Sequence, residues 1–219
     1  MKKLLLTTLS CCLFLSLFAQ NETYRHTLTG GVGASFFGFV VDVVDGTDFS
    51  DSEFANTSDE FTINSGLFRG KSLPAFQVNY DYGFKKWFSL GGGISYQKFD
   101  VDFQDLQYTE DTGEQNFVES AAIDVHRLNI GIRTLFHYGN SNRIDMYSGF
   151  RLGLTNWGIS ASSSDVGLEG DLNSVFGLLP SFQFIPFALR GYVTENLGIQ
   201  FETGIGTPHM FAFGVNYRM

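Results

Sequence analysis

The sequence predicts an all-β fold, a closed eight-stranded antiparallel up-and-down barrel. Three observations predict it: apolar and polar residues alternate strictly in several segments, short and long links alternate between these segments, and glycine and aromatic residues are abundant. The 219 residues include 25 glycines and 24 phenylalanines, while only 17% are charged. Strands favour aromatic residues, and an apolar composition with so little charge excludes a disordered chain.

The N-terminus has the layout of a cleaved secretory signal peptide. Lys2 and Lys3 precede an apolar run, 4–19, which gives way to polar residues. A run of this length is short for a membrane-spanning helix, so we expect cleavage after Ala19 and a barrel domain of residues 20–219. Both cysteines lie in the apolar run, so we expect a mature chain without disulfides or thiolate metal sites.

Eight segments repeat with a period of two, which predicts strands with one apolar and one polar face. In the second segment, for example, Phe76, Val78 and Tyr80 alternate with polar residues. Pro186 in the sixth predicts a bulge, because proline cannot donate to the sheet ladder. The predicted strands are about 24–41, 76–82, 88–97, 121–138, 144–157, 182–192, 197–205 and 209–219.

The links between the strands predict where the loops and the charge lie. Short turns alternate with long links at about 42–72, 104–118 and 160–176. In an up-and-down barrel all long links then fall at one end, as three long extracellular loops, and both termini fall at the other. The long loops hold 14 acidic residues against two basic ones, Arg69 and Lys71. The net charge of -9 argues against nucleic acid as a partner.

The composition of the two faces predicts that the apolar face points into lipid. It carries large aromatic residues on nearly every strand, whereas the other face alternates glycine with long charged residues, which suits a narrow lumen where charges pair. In hydrocarbon, strands can satisfy every backbone group only in a closed sheet, so a transmembrane barrel is expected. The predicted structural network of the lumen consists of Asp81, Arg127, Arg133, Arg151, Arg190 and Glu202.

Aromatic residues at opposite ends of the strands predict the two girdles of a membrane barrel. The two groups flank the predicted apolar band, which single core aromatics would not explain. The girdle residues are Tyr82, Trp87, Phe88 and Tyr138 beside the short turns, and Phe36, Phe99, Phe103 and Trp157 toward the long loops.

The last residues, Gly-Val-Asn-Tyr-Arg-Met with Tyr217 among them, are similar to the assembly signal of outer-membrane barrels. With the strand pattern, they make the mature chain resemble the small porin-like outer-membrane β-barrel proteins of Gram-negative bacteria, of the OmpA transmembrane domain and OmpX types. The resemblance implies residence in the bacterial outer membrane, contact with lipid and lipopolysaccharide, and recognition by the barrel-insertion machinery. A likeness to PorT-like barrels implies other outer-membrane proteins as partners.

No catalytic, cofactor or metal site is predicted. The four histidines are scattered, and His137 is expected to be an ordinary lumen-lining residue. Gly66–Ser72 is one residue short of a phosphate-binding loop and opens no helix. Asp42 and Asp45 begin an acidic stretch that lacks the spacing of a calcium loop. The arginines could select anions in a pore, but the interior of eight strands is only wide enough for side chains.

The leading hypothesis is a non-enzymatic outer-membrane barrel with a plugged lumen, whose long acidic loops have structural or surface-binding roles. Three alternatives stay open. They are an accessory subunit of a larger outer-membrane secretion or assembly complex, a lipid A-modifying enzyme, and a soluble periplasmic ligand-binding barrel.

Overall fold

The computed structural model describes residues 25–45, 66–109, 114–138, 143–163, 170–171 and 177–219. The predicted signal peptide lies outside the described residues. Within them, no helix is long and apolar enough to cross a membrane. The strands all belong to one sheet.

The elements within these ranges are eleven strands and one helix. In chain order they are β1 (His26–Ala34), α1 (Phe36–Val44), β2 (Gly66–Ser72), β3 (Ala75–Lys85), β4 (Phe88–Thr109), β5 (Glu114–His137), β6 (Ile144–Ser163), β7 (Gly170–Asp171), β8 (Leu178–Tyr192), β9 (Leu197–Thr203), β10 (Ile205–Gly206) and β11 (Phe211–Arg218).

Antiparallel pairing of eight strands closes the barrel. The ring runs β1–β3–β4–β5–β6–β8–β9–β11 and returns to β1. At the closure, Leu28 pairs with Tyr217 and Val32 with Phe213. A Cβ atom added to Gly31 would lie 2.4 Å from the Phe213 carbonyl oxygen, so a larger residue there would push β1 and β11 apart. The predicted closed eight-stranded antiparallel barrel is confirmed.

Three short strands extend the wall on the side of the long links. β2 pairs with β4 above β3, β7 pairs with β6, and β10 pairs with β8. β4 and β5 pair as far as Thr109 and Glu114, so most of the predicted loop 104–118 is a continuation of this hairpin. The loop prediction was wrong there because a backbone ladder continues above the apolar band without needing apolar side chains.

The first predicted strand is wrong in its second half, because β1 ends at Ala34 and α1 follows. Ser35 caps this helix, its Oγ accepting from the Gly38 N–H at 3.0 Å. The Asp42 carboxylate accepts from the Ser72 backbone N–H at 3.1 Å and from its hydroxyl at 2.9 Å. These bonds hold α1 against β2 at the loop end of the barrel.

The predicted bulge at Pro186 is confirmed. Tyr147 of β6 pairs with Ala188 and Gly149 pairs with Ile185, so two residues of β8 lie opposite one residue of β6. A bulge leaves its extra residue outside the hydrogen-bond ladder, so the ladder does not need the N–H that Pro186 lacks.

The interior of the barrel is polar and its exterior is apolar. Ile132 and Leu152 on the outer wall are 61% and 63% exposed, whereas Arg133 and Glu202 inside are fully buried. A small apolar cluster of Leu135, Tyr147, Ile185 and Ala188 also lies inside. This arrangement is the inverse of a water-soluble protein, in which large apolar side chains lie inside.

Candidate functional site

The apolar band on the outer wall ends at a charged cluster on the loop side. Beyond Tyr96, the Lys98 ammonium donates to Asp100 at 2.6 Å and to Asp124 at 3.1 Å. These two hydrogen bonds, chiefly the one to Asp100, raise the pKa of Lys98. Charged side chains are costly in hydrocarbon, so this cluster marks the outer boundary of the membrane-spanning wall.

Aromatic rings gather at the other boundary, beside the short turns. Trp87 stacks on Phe136 with ring centroids 6.3 Å apart, and Phe88 contacts both. Tyr82 and Tyr138 are half-buried at the same end. The four residues predicted for this girdle therefore lie together at one end of the apolar band, the level at which membrane barrels carry an aromatic belt.

The girdle predicted toward the long loops is wrong for Phe99 and Trp157. Both side chains keep the inward phase of their strands and stack inside the lumen, with centroids 6.5 Å apart. Phe36 and Phe103, by contrast, are exposed. The strand alternation continues above the apolar band, so Phe99 and Trp157 lie inside the lumen instead of facing lipid.

An ionic cluster crosses the middle of the lumen. Arg133 Nη2 donates to Glu202 Oε2 at 2.7 Å, and Arg133 Nε lies 3.4 Å from Asp81 Oδ1. Arg190 Nη2 donates to the other oxygen of Asp81. Arg190 and Asp81 come from β8 and β3, which are diametrically opposite in the ring of eight. The cluster therefore ties opposite walls together across the barrel axis.

Glu202 has the richest set of partners in this cluster. Besides Arg133, its Oε2 accepts from the Tyr147 hydroxyl at 2.8 Å and from Gln200 Nε2 at 3.3 Å. His209 Nε2 lies 3.1 Å from Oε1. Since an ionised carboxylate is tolerated in an interior only when it is paired and hydrogen-bonded, these contacts are what keep Glu202 in the lumen.

The other two predicted arginines lie outside the ionic cluster. Arg151 Nη1 donates to Asn79 Oδ1 at 3.3 Å. Arg127 Nη2 donates to Gln97 Oε1 at 2.7 Å and to the Pro208 carbonyl at 2.6 Å. In the part of the chain that the structure describes, neither arginine has a carboxylate partner. The six predicted network residues are thus all buried in the lumen, but only four of them form ion pairs with one another.

A second constellation lies at the short-turn end of the lumen, and the sequence analysis missed it. Ser89 Oγ lies 2.7 Å from His137 Nε2, and His137 Nδ1 lies 2.8 Å from Asp145 Oδ1. This is the order and spacing of a Ser-His-Asp triad. The three residues come from the neighbouring strands β4, β5 and β6. Their only signal in the sequence is the inward phase that they share with the lumen arginines.

The comparisons with known proteins return distant structures only. No protein-family model and no curated protein matches the chain. The crystal structure of Ail, the attachment invasion locus protein of Yersinia pestis, is 12% identical over 90% of this chain and 100% of its own, with a TM-score of 0.49. That of the outer membrane protein OprG from Pseudomonas aeruginosa is 11% identical over 91% and 98%, with a TM-score of 0.48.

The strand pairing and the distribution of side chains, rather than these likenesses, define the class of protein. A closed ring of strands, apolar outside and polar inside, is the form in which strands cross the bacterial outer membrane. The chain has the fold of a small outer-membrane β-barrel. The predicted transmembrane barrel and its outer-membrane location are therefore confirmed. The alternative of a soluble periplasmic barrel does not fit, because water would meet the apolar wall.

Proposed function

We propose that the chain is a non-enzymatic outer-membrane barrel with a plugged lumen, whose long acidic loops have structural or surface-binding roles. The observation that carries the proposal is the ionic cluster that joins Arg190 of β8 to Asp81 of β3 across the barrel axis. Eight strands leave an interior that side chains fill, and a paired cluster in it favours stability over solute passage.

Two acidic residues of the first long link support the structural role. Asp42 and Asp45 bind backbone groups within the protein, Asp45 Oδ1 accepting from the Gly70 N–H at 3.0 Å. The acidic residues at 48–60, 110–111, 165 and 169 lie outside the described residues. We propose lipopolysaccharide as a contact of the outer rim and the barrel-insertion machinery as the assembly partner. Gly30, which has open space on the outer wall, is a place where another outer-membrane protein could pack.

Conductance in a planar bilayer tests the plugged lumen. We expect the folded protein, verified by its heat-modifiable mobility in gels, to give no steady ion conductance, because the ionic cluster fills the centre of the barrel. A general porin inserted under the same conditions serves as the positive control. A stable open-channel current from the folded protein would contradict the plugged lumen.

A second candidate function, hydrolysis of an acyl ester such as those of lipid A, is favoured by the Ser89–His137–Asp145 constellation. In such a reaction Ser89 Oγ would attack the ester carbonyl while His137 Nε2 accepts the hydroxyl proton and passes it to the leaving alcohol. Water would then release the acid from Ser89 by the same base. Asp145 would orient the imidazole through Nδ1.

Covalent labelling separates the two candidates. Ser89 is only 1% exposed, so we expect no reaction with a fluorophosphonate probe in the folded protein. Ser89→Ala is then expected only to lower the free energy of unfolding by about 1 kcal/mol, through the lost hydrogen bond. Labelling that disappears in both Ser89→Ala and His137→Ala would favour the hydrolase instead, and a change in lipid A mass on overexpression would identify its substrate.

A further inference from the structure

A cavity lies at the loop end of the barrel, between the start of α1 and the segment from Gly204 to Met210. Its volume is about 360 Å³, within the range of about 300–1,000 Å³ typical of small-molecule sites. The first helix provides Phe36 and Phe37 for one wall, and Ile205 and Met210 line another. The walls are therefore mainly apolar.

One charged side chain lines this cavity, and it is held in place from several sides. Arg127 is 3% exposed, and its guanidinium carbon lies 5.4 Å from the Trp157 ring centroid and 5.9 Å from that of Phe99. Among the residues that the structure describes, its Nη2 donates to Gln97 Oε1 and to the Pro208 carbonyl. Both partners are neutral, so they fix the guanidinium without compensating its charge.

We propose that this cavity, defined by Phe36, Phe37, Arg127, Ile205 and Met210, is a binding site for a small apolar carboxylate. Arg127 supplies a fixed cation, and the guanidinium fork matches the two oxygens of a carboxylate. The apolar walls match a compact aromatic or aliphatic body. A neutral ligand would leave the buried cation uncompensated, and a cationic one would be repelled.

The site is independent of the roles proposed for the loops and for the ionic cluster. It lies above the Arg133–Glu202 pair and uses none of the ionic cluster's residues. A plugged lumen is compatible with it, because none of the residues that line the cavity belongs to the ionic cluster. An open-channel current would therefore not contradict the carboxylate site. Absence of carboxylate binding would not contradict the plugged lumen.

Fluorescence titration tests the proposal on the full barrel in nanodiscs. The sequence contains two tryptophans, so Trp87→Phe leaves Trp157 as the reporter beside Arg127. Phenylacetate is the probe, phenylacetamide its neutral counterpart and phenethylamine its cationic one. We expect saturable binding of phenylacetate at least about tenfold tighter than of phenylacetamide, because a hydrogen bond to a charged group is lost in the amide. Phenethylamine is expected not to bind.

Three variants in the same background locate the site. Arg127→Met is expected to weaken phenylacetate binding at least about tenfold, while Arg127→Lys keeps the preference for the acid. Phe37 lies on the helix wall, away from the ionic cluster. Phe37→Ala is therefore expected to weaken the binding of phenylacetate and of phenylacetamide to the same extent. Equal binding of acid and amide, or unchanged binding by folded Arg127→Met, would overturn the proposal. The acid-to-amide comparison uses the native Arg127, so it decides the matter even where Arg127→Met does not fold.

Discussion

Glu202→Ala is expected to lower the free energy of unfolding by about 3–5 kcal/mol, the loss typical of breaking a buried ion pair. The substitution removes the carboxylate that accepts from Arg133 at 2.7 Å and from Tyr147 at 2.8 Å. Arg133 would keep only its 3.4 Å contact with Asp81, a carboxylate that it shares with Arg190. The loss arises from a guanidinium left poorly compensated in a place that water does not reach.

Urea unfolding in lipid vesicles, followed by gel mobility and tryptophan fluorescence, measures this effect. Glu202→Gln should cost less than Glu202→Ala, since an amide oxygen can still accept a hydrogen bond. Glu195→Gln, in the exposed turn before β9, is the matched control and should change the stability by less than about 0.5 kcal/mol. A loss below about 1 kcal/mol in Glu202→Ala would show that the cluster does not hold the barrel together.

Leu152→Arg is expected to destabilise the protein in a bilayer by about 2–4 kcal/mol, the cost of a basic residue on the lipid face near the midplane of a barrel. Leu152 is 63% exposed on the outer wall and pairs with Ile132 and Phe182, which also face outward. If water bathed this wall, the same substitution would be nearly neutral.

The matched control for Leu152→Arg is Val193→Arg. Val193 follows β8 at the short-turn end and is 74% exposed, so its arginine would reach the interface and cost only about 0–1 kcal/mol. Reversible folding into vesicles gives both values. Equal effects at the two positions would contradict a membrane-spanning wall at Leu152.

The alternation of apolar and polar residues predicted which side chains of a strand face outward and which face inward. Phe76, Val78 and Tyr80 face outward and Gln77, Asn79 and Asp81 inward, as the alternation of a strand requires. The six residues predicted for the lumen network share this inward phase, and all six side chains are buried. The bulge in β8 was predicted because Pro186 has no backbone N–H to donate to the sheet.

The wrong or missing predictions concern positions where helix capping, strand phase or the register between strands decides the structure. The apolar residues of α1 suit a strand or a helix, and the cap from Ser35 to Gly38 selects the helix. Phe99 and Trp157 resemble girdle residues in type, yet strand phase places them inside. The Ser89–His137–Asp145 contacts depend on the register between three strands, which no local pattern encodes.

The closure of β1 on β11 has a consequence for biogenesis. β1 leaves the ribosome long before its neighbour β11 has been made, so the ring cannot be completed until β11 has been synthesised. A chain that is cut short before Phe211 would present two open edges to hydrocarbon.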